Sequence, residues 1–328
     1  MNITSQTLTQ IMAAVEGHCG PGTIRPMGRG SALATEALRT GSLALDLATG
    51  IDGYPVGRVI ELFGPEGSGK TTLALHAMAE VQRSGGTCAF IDADHTLNLD
   101  YARGIGVAPG EALIAQPDTA ESAFEIIELL ARSGRVPLIV VDSVGGLVST
   151  DELDGGDDDR ARGRVFAKAL RKLTAVAHRT RTTLLFLNPM QPERPARAPF
   201  APAVGVNALK FYTSMRVWLR RVGDVRRGDQ LLGAQVHATV VKNKHAAPFA
   251  TAEFEIRWGE GVDRLGELFD LGARLDVLRC AGKHLSFGEV PLGHSRVHVR
   301  ETLGASPTLE AEIREAIVTA AREHGGCL

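Results

Sequence analysis

One run of nine residues, Gly64-Pro65-Glu66-Gly67-Ser68-Gly69-Lys70-Thr71-Thr72, constrains this chain more than any other feature. It matches GxxxxGK[ST], a phosphate-binding loop, and its context fits: an apolar segment, Val59-Ile60-Glu61-Leu62-Phe63, precedes it and a helical pattern follows. Glycines at these positions let backbone N–H groups converge on phosphate oxygens, and the start of a helix adds a favourable dipole. Lys70 is expected to neutralise the β- and γ-phosphates, and the Thr71 hydroxyl to ligate Mg²⁺.

A strand–loop–helix unit of this kind belongs to a parallel sheet. Apolar runs of strand length do alternate with helical segments from residue 58 onward. The spacing predicts strands at Arg58–Phe63, Cys88–Asp92, Leu138–Asp142, Thr183–Asn188, Met215–Arg220 and Val236–Lys242. Helices are predicted at 5–17, Lys70–Arg83, Ala120–Arg132 and Arg164–Arg179. The later strands have short connections and read as antiparallel. Gly20-Pro21-Gly22 opens a linker after the first helix, and the pattern changes near residue 263. Three segments are therefore expected: 1–30 (helix and linker), 31–262 (core) and 263–328 (a small C-terminal domain).

The run Leu138-Ile139-Val140-Val141-Asp142-Ser143 supplies the second half of a phosphate site. In a parallel sheet its carboxylate arrives at the carboxyl edge beside the phosphates, where it can hold Mg²⁺ through water. Cys88-Ala89-Phe90-Ile91-Asp92 delivers Asp92 and Asp94 to the same edge. Either could orient or deprotonate an attacking water, and spacing alone does not choose between them.

Charge is segregated. The formal net charge is only −2, yet residues 160–227 carry sixteen Lys and Arg against two acids, Glu193 and Asp224. Just before them, Asp151–Asp159 (DELDGGDDD) holds six acids, without the alternating ligands of a calcium loop. A basic stripe of this density beside a nucleotide site points to neutralisation of a nucleic-acid backbone. Only 7 of the 36 basic residues are Lys, so each Lys in an Arg-preferring chain is worth attention. The four cysteines (Cys19, Cys88, Cys280, Cys327) are far apart, with no CxxC pair, and read as free thiols of a reducing cytoplasm. No apolar run approaches the ~20 residues of a membrane helix, and Met1-Asn2-Ile3-Thr4 does not open a secretory signal.

The wording of several segments, in order, resembles the bacterial RecA recombinase family: GSLALDLATG, GPEGSGKTTL, CAFIDADH, QPDTAE, LLARSG, LIVVDS, ALRKL, NALKFYTSMR, VVKNKHAAPF and EFEIRWGEG. The likeness runs from about residue 20 to 275 and continues more faintly beyond. It implies a RecA-like P-loop NTPase fold: an α/β core with a mostly parallel twisted sheet flanked by helices, an N-terminal polymerisation helix, and a small α+β C-terminal domain. It implies ATP and Mg²⁺ as cofactors, single- and double-stranded DNA as partners, and a helical homo-oligomeric filament.

Residue by residue, the resemblance implies that Gly64, Pro65, Glu66, Gly67, Ser68, Gly69, Lys70, Thr71 and Thr72 hold the nucleotide. Thr71 and Asp142 would hold the metal. Tyr101 stands where the family stacks on adenine, with Asn98 near the base in place of an Asp. Asp94 stands where the family has its catalytic Glu. Lys242 and Lys244 match lysines that reach the nucleotide of the neighbouring subunit, a point contact that suits an ammonium. Lys210 and Phe211 match subunit contacts. Arg164 and Arg171 match DNA contacts beside a first DNA loop at about 151–163. Gly205, Val206 and Asn207 match a second loop at about 189–206, whose amides hold phosphates.

Four departures from the family pattern stand out. Asp94 retracts the base by one methylene, ~1.5 Å, and predicts slowed hydrolysis. Pro189 replaces a Gln that in the family senses the γ-phosphate; Gln191 stands nearby and is not assigned as its substitute. Pro189, Pro192, Pro195, Pro199 and Pro202 stiffen the second loop, with Met190 and Phe200 as candidate intercalating side chains. The first loop is shorter and more acidic, and the family's acidic C-terminal tail has no counterpart, so easier access of duplex DNA is expected. The leading expectation is a DNA-dependent ATPase that pairs homologous DNA in recombination and repair and stimulates self-cleavage of an SOS-type repressor. The alternatives are a paralogue, weakly coupled in hydrolysis and accessory to another recombinase, and a filament scaffold that keeps ATP as interface glue.

Overall fold

The computed structural model describes residues 7–24, 35–156, 159–190, 207–281 and 284–323. The chain divides into two compact units, 1–35 and 36–328. The first contains α1 (Leu8–Cys19), opened by a capping box between Thr7 and Gln10 and closed at Gly20. It starts and ends two to three residues later than the apolar pattern predicts, with Thr7 providing the cap.

The second unit opens with β1 (Ala37–Leu38), α2 (Leu43–Ala48) and β2 (Tyr54–Pro55), with β1 and β2 pairing antiparallel. The core follows: β3 (Val59–Gly64), α3 (Lys70–Arg83), β4 (Cys88–Asp92), α4 (Leu99–Ile105), β5 (Ala112–Ala115), α5 (Ala120–Arg132) and β6 (Leu138–Asp142). Next come α6 (Thr150–Leu153), α7 (Asp159–Thr180), β7 (Thr183–Pro189), α8 (Asn207–Tyr212), β8 (Met215–Arg227), β9 (Gln230–Asn243), β10 (Thr251–Arg257) and β11 (Gly261–Val262). The chain finishes with α9 (Arg264–Arg274), β12 (Arg279–Ala281), β13 (His284–Phe287), β14 (Val290–Gly293), α10 (Arg296–Gly304) and α11 (Pro307–Glu323).

Nine strands form one sheet in the order β11-β10-β9-β8-β3-β7-β6-β4-β5. Pairing is parallel from β8 through β5 and antiparallel from β8 to β11. The central strands read as near-continuous apolar runs, broken on β3 by Glu61, because both faces are buried. On β6, Leu138 and Val140 enter one apolar cluster with α3, while Ile139 and Val141 enter another with α5 and α7. Leu268, Val299, Ile313 and Ile317 of the C-terminal segment join the α3-side cluster. Glu267 of α9 also reaches across to cap α2, accepting from Ser42 Oγ (2.5 Å), Leu43 N (3.1 Å) and Ala44 N (3.3 Å).

The strands β8 and β9 are longer than their apolar patterns. They continue as a two-stranded ribbon to Arg227 and Gln230, where most side chains are exposed, apolar ones such as Val222 and Leu231 included, so no apolar alternation marks it. β10 carries a period-2 signal, with Ala252, Phe254 and Ile256 buried, that the strand prediction passed over.

His76 of α3 is buried and accepts from Val262 N through Nε2 at 2.8 Å. Burial, then the charges of Arg264 and Arg83, push its pKa down to about 4. Between pH 6.5 and 4 the unfolded chain takes up a proton there and the folded chain does not, so this group costs stability as pH falls through that window. Asp46 and Glu267, pushed up to about 7 by burial, act in the opposite sense over roughly the same range. A His76→Gln variant isolates the histidine: relative to the parent, it is expected to gain about 3 kcal/mol between pH 6.5 and pH 4 in denaturant titrations.

Candidate nucleotide site

The parallel strands bring four chain segments to one edge of the sheet. Gly64 at the end of β3 lies opposite Pro189 of β7, and Asp92 of β4 lies opposite Asp142 of β6. The loop 65–69 leaves that edge and enters α3 at Gly69, whose φ of 91° is in the left-handed region; a side chain there would also strike Ile256. No side chain caps α3, so the N–H groups of its first turn are available to an anion. A cleft of about 1130 Å³ opens here, lined by the loop and by Asp94, Asp142, Asn188, Pro189 and Met190 among others.

Lys70 Nζ donates to the carbonyls of Gly64 (3.0 Å) and Pro65 (2.8 Å), and burial holds its pKa below the usual lysine value. Thr71 Oγ1 donates to Asp142 Oδ2 at 2.7 Å. Burial pushes Asp142 up to about 6, against the Thr71 hydrogen bond and with the Asp94 charge adding to it. A hydroxyl and a carboxylate in contact, with a second carboxylate close enough to repel it, form a hard oxygen donor set that suits Mg²⁺. Thr71 and Asp142 would hold that ion, which would supply charge neutralisation at the phosphates.

The two acids of the β4 edge separate cleanly. Asp92 is buried and occupied: it accepts from Thr96 N (3.0 Å), Leu97 N (3.4 Å) and Gln116 Nε2 (2.9 Å), and so builds the turn after β4. Asp94 is exposed on the cleft wall, packed so closely on Gly146 that a Cβ there would overlap its carboxylate. A Gly146→Ala substitution is therefore expected to displace Asp94 and cut ATP turnover by about 10²-fold, with nucleotide binding retained. Steady-state turnover alongside equilibrium dialysis separates the two effects.

Tyr101 and Asn98 do not line this cleft. Tyr101 OH hydrogen-bonds Thr72 Oγ1 at 2.8 Å, and Asn98 caps α4 by accepting from Asp100 N (2.9 Å) and Tyr101 N (3.0 Å). Lys242 and Lys244 also lie outside the cleft lining; Lys242 donates to the Lys210 carbonyl, Lys244 N donates to the Ser214 carbonyl, and Phe211 is exposed. Arg164 is exposed on α7, and Arg171 hydrogen-bonds Tyr212. The expected first loop is largely helical: α6 is opened by a Ser149–Glu152 capping box, and α7 begins at Asp159. Gly205 and Val206, like Gln191, Pro192, Pro195, Pro199, Phe200 and Pro202, lie outside the described residues, as does the Asn207 side chain.

Three cleft residues escaped the sequence reading. Arg162 donates to the carbonyls of Val144 (2.7 Å) and Gly145 (3.0 Å) and so fixes the loop that carries Gly146; within a long charge run nothing marks it out. Trp258, about half exposed, and Arg221, whose guanidinium lies 5.8 Å from its ring, line the cleft mouth. The residues EFEIRWGEG contain that tryptophan, but only the fold brings β10 beside the phosphate loop.

The parallel sheet, the loop and the Thr71–Asp142 pair define a nucleotide-binding ATPase of the P-loop class. A family model for the RecA N-terminal domain matches residues 6–263. The chain is 42% identical over 320 residues to Protein RecA of Sulfurimonas denitrificans, covering 96% of this chain and 93% of that protein. It is 43% identical over 317 residues to Protein RecA of Rickettsia massiliae, covering 95% and 92%. Among solved structures, the RadB recombinase superposes with a TM-score of 0.53 at 20% identity, over 69% of this chain and 98% of that one, a likeness of fold. The chain belongs to the RecA family, and its function is homologous recombination and DNA repair. Among the described residues no helix is long and apolar enough to cross a membrane.

Proposed function

We propose that this protein forms a helical filament on single-stranded DNA with ATP and Mg²⁺, pairs the bound strand with a homologous duplex, and uses hydrolysis to release it. The observation that carries this reading is the cleft itself. Lys70, Thr71, Asp142 and Asp94 share it with Asn188, Pro189 and Met190, the entry to the second DNA loop. Met190 N donates to Gly64 O at 2.9 Å, which ties that entry to the first residue of the phosphate loop.

In the reaction, Lys70 neutralises the terminal phosphates and Asp94 accepts a proton from the water that attacks the γ-phosphorus, with ADP and phosphate as products. Asp94 carries one methylene fewer than the family's Glu, so turnover is slow. Lys242 and Lys244 reach the nucleotide of the neighbouring protomer, α1 packs on that neighbour in a non-closing interface, and Arg164, Arg171 and residues 205–207 hold DNA phosphates. The filament also stimulates self-cleavage of an SOS-type repressor.

A second reading is favoured by Pro189. It lines the cleft where the family has a Gln, and offers neither an N–H nor a side-chain donor. On that reading the protein binds ATP and DNA but couples them weakly and serves as an accessory filament protein. ATP turnover with and without single-stranded DNA decides between them. Stimulation by DNA in the parent, with an increase of up to ~10²-fold in Asp94→Glu, supports the recombinase. No stimulation in the parent, restored by Pro189→Gln, supports the accessory protein.

A further inference from the structure

A polar ladder crosses the middle of the sheet through Asn188 on β7, Glu61 on β3, Arg216 on β8 and Lys242 on β9. Glu61 lies in register with Arg216, and Arg216 with Lys242. Glu61, fully buried, accepts from Asn188 Nδ2 at 2.8 Å and from Arg216 Nε. At ~4.8 Å per strand the ladder spans ~15 Å. Well-packed apolar residues would serve stability at least as well as an ion pair in this position, so the pair calls for another reason.

The two ends of the ladder supply one. Asn188 lines the cleft and leads through Pro189 and Met190 into residues 191–206. Lys242 Nζ donates to the Lys210 carbonyl at 2.5 Å, in the last turn of α8, the helix the chain enters from those same residues. Burial, then the charges of Lys244 and Arg216, disfavour the Lys242 ammonium, with Glu61 acting in the opposite sense, and one terminal nitrogen of the Arg216 guanidinium is buried without a hydrogen-bond partner among the described residues. A neutral carbonyl is a weak acceptor for an ammonium so placed, and an anionic oxygen is a much stronger one.

We propose that Glu61 and Arg216 are positioning residues that hold Lys242 between two alternative acceptors, the Lys210 carbonyl and a phosphate oxygen presented by a second copy of this chain. Capture of that phosphate by Lys242 then frees the last turn of α8. This gives one protomer a physical means of registering the nucleotide of its neighbour at the exit of its own 191–206 segment, without the Gln that Pro189 replaces. The inference rests on the reading of Lys242 as a contact to a neighbouring nucleotide.

Hydrogen exchange of the full-length protein on single-stranded DNA tests it, comparing ADP with a non-hydrolysable ATP analogue. The amides of Phe211–Thr213 are expected to exchange about ten-fold faster with the analogue than with ADP, the scale of one lost charge-assisted hydrogen bond. Lys242→Met is expected to exchange at the faster rate with either nucleotide. Glu61→Gln is expected to shrink the difference while keeping its hydrogen bond to Asn188. Equal exchange in the two states of the parent, or a difference that persists in Lys242→Met, overturns the proposal. Equilibrium dialysis and light scattering on the same samples separate the failures. Nucleotide binding and filaments with unmoved α8 amides sink this proposal alone, whereas no binding or no filaments sinks the filament reading and this proposal with it.

Discussion

Lys70→Ala is expected to lower ATP turnover by about 10³-fold and to abolish stabilisation of the protein by ATP. The ammonium is held by the carbonyls of Gly64 and Pro65 in the phosphate-binding loop, and on the proposed reading it neutralises the terminal phosphates. A preorganised charge in a partly dry site contributes more to the transition state than it could in water, and removing one such donor typically costs 10²–10³-fold or slightly more. Lys70→Arg should not rescue it, because a planar guanidinium cannot occupy the point between two carbonyls that an ammonium fills. Thermal shift with and without ATP, beside steady-state turnover, checks both statements. A variant that still responds to ATP would remove Lys70 from the site.

Glu61→Ala is expected to cost roughly 3–5 kcal/mol of stability, because it leaves a buried guanidinium without its carboxylate and the Asn188 amide without its acceptor. Stacking of Arg216 on Phe63, 4.4 Å from the ring centre, cannot replace that partner. The double change Glu61→Leu with Arg216→Met should cost far less than Glu61→Ala alone, since both charges leave together. Urea titration of the three proteins reads the difference directly. An additive double variant would mean that the two side chains do not act as a pair.

The two predictions differ in how visible their residues are in the sequence. Lys70, Thr71 and Asp142 are legible because their chemistry is local: a Gly-rich turn between strand and helix, and an acid at the end of an apolar run. The choice between Asp92 and Asp94 is not local. It depends on Thr96, Leu97 and Gln116 occupying one carboxylate and on Gly146 making room for the other. Nor is the cap of α4 by Asn98, a residue that the resemblance places near the base, something spacing shows.

The sequence by itself determined the class of fold, the strands buried on both faces, the phosphate loop with Asp142 beside it, and the family. Each is written in short-range periodicity or in a contiguous motif. The resemblance already pointed to Asp94; only the tertiary structure decided how Asp92 is occupied instead, that Trp258 and Arg162 join the cleft, and that the glutamate inside Val59-Ile60-Glu61-Leu62-Phe63 is answered by an arginine 155 residues away. A charge within a doubly buried strand announces that it needs a partner. Its identity is set by strand order and register, long-range quantities that no local pattern encodes.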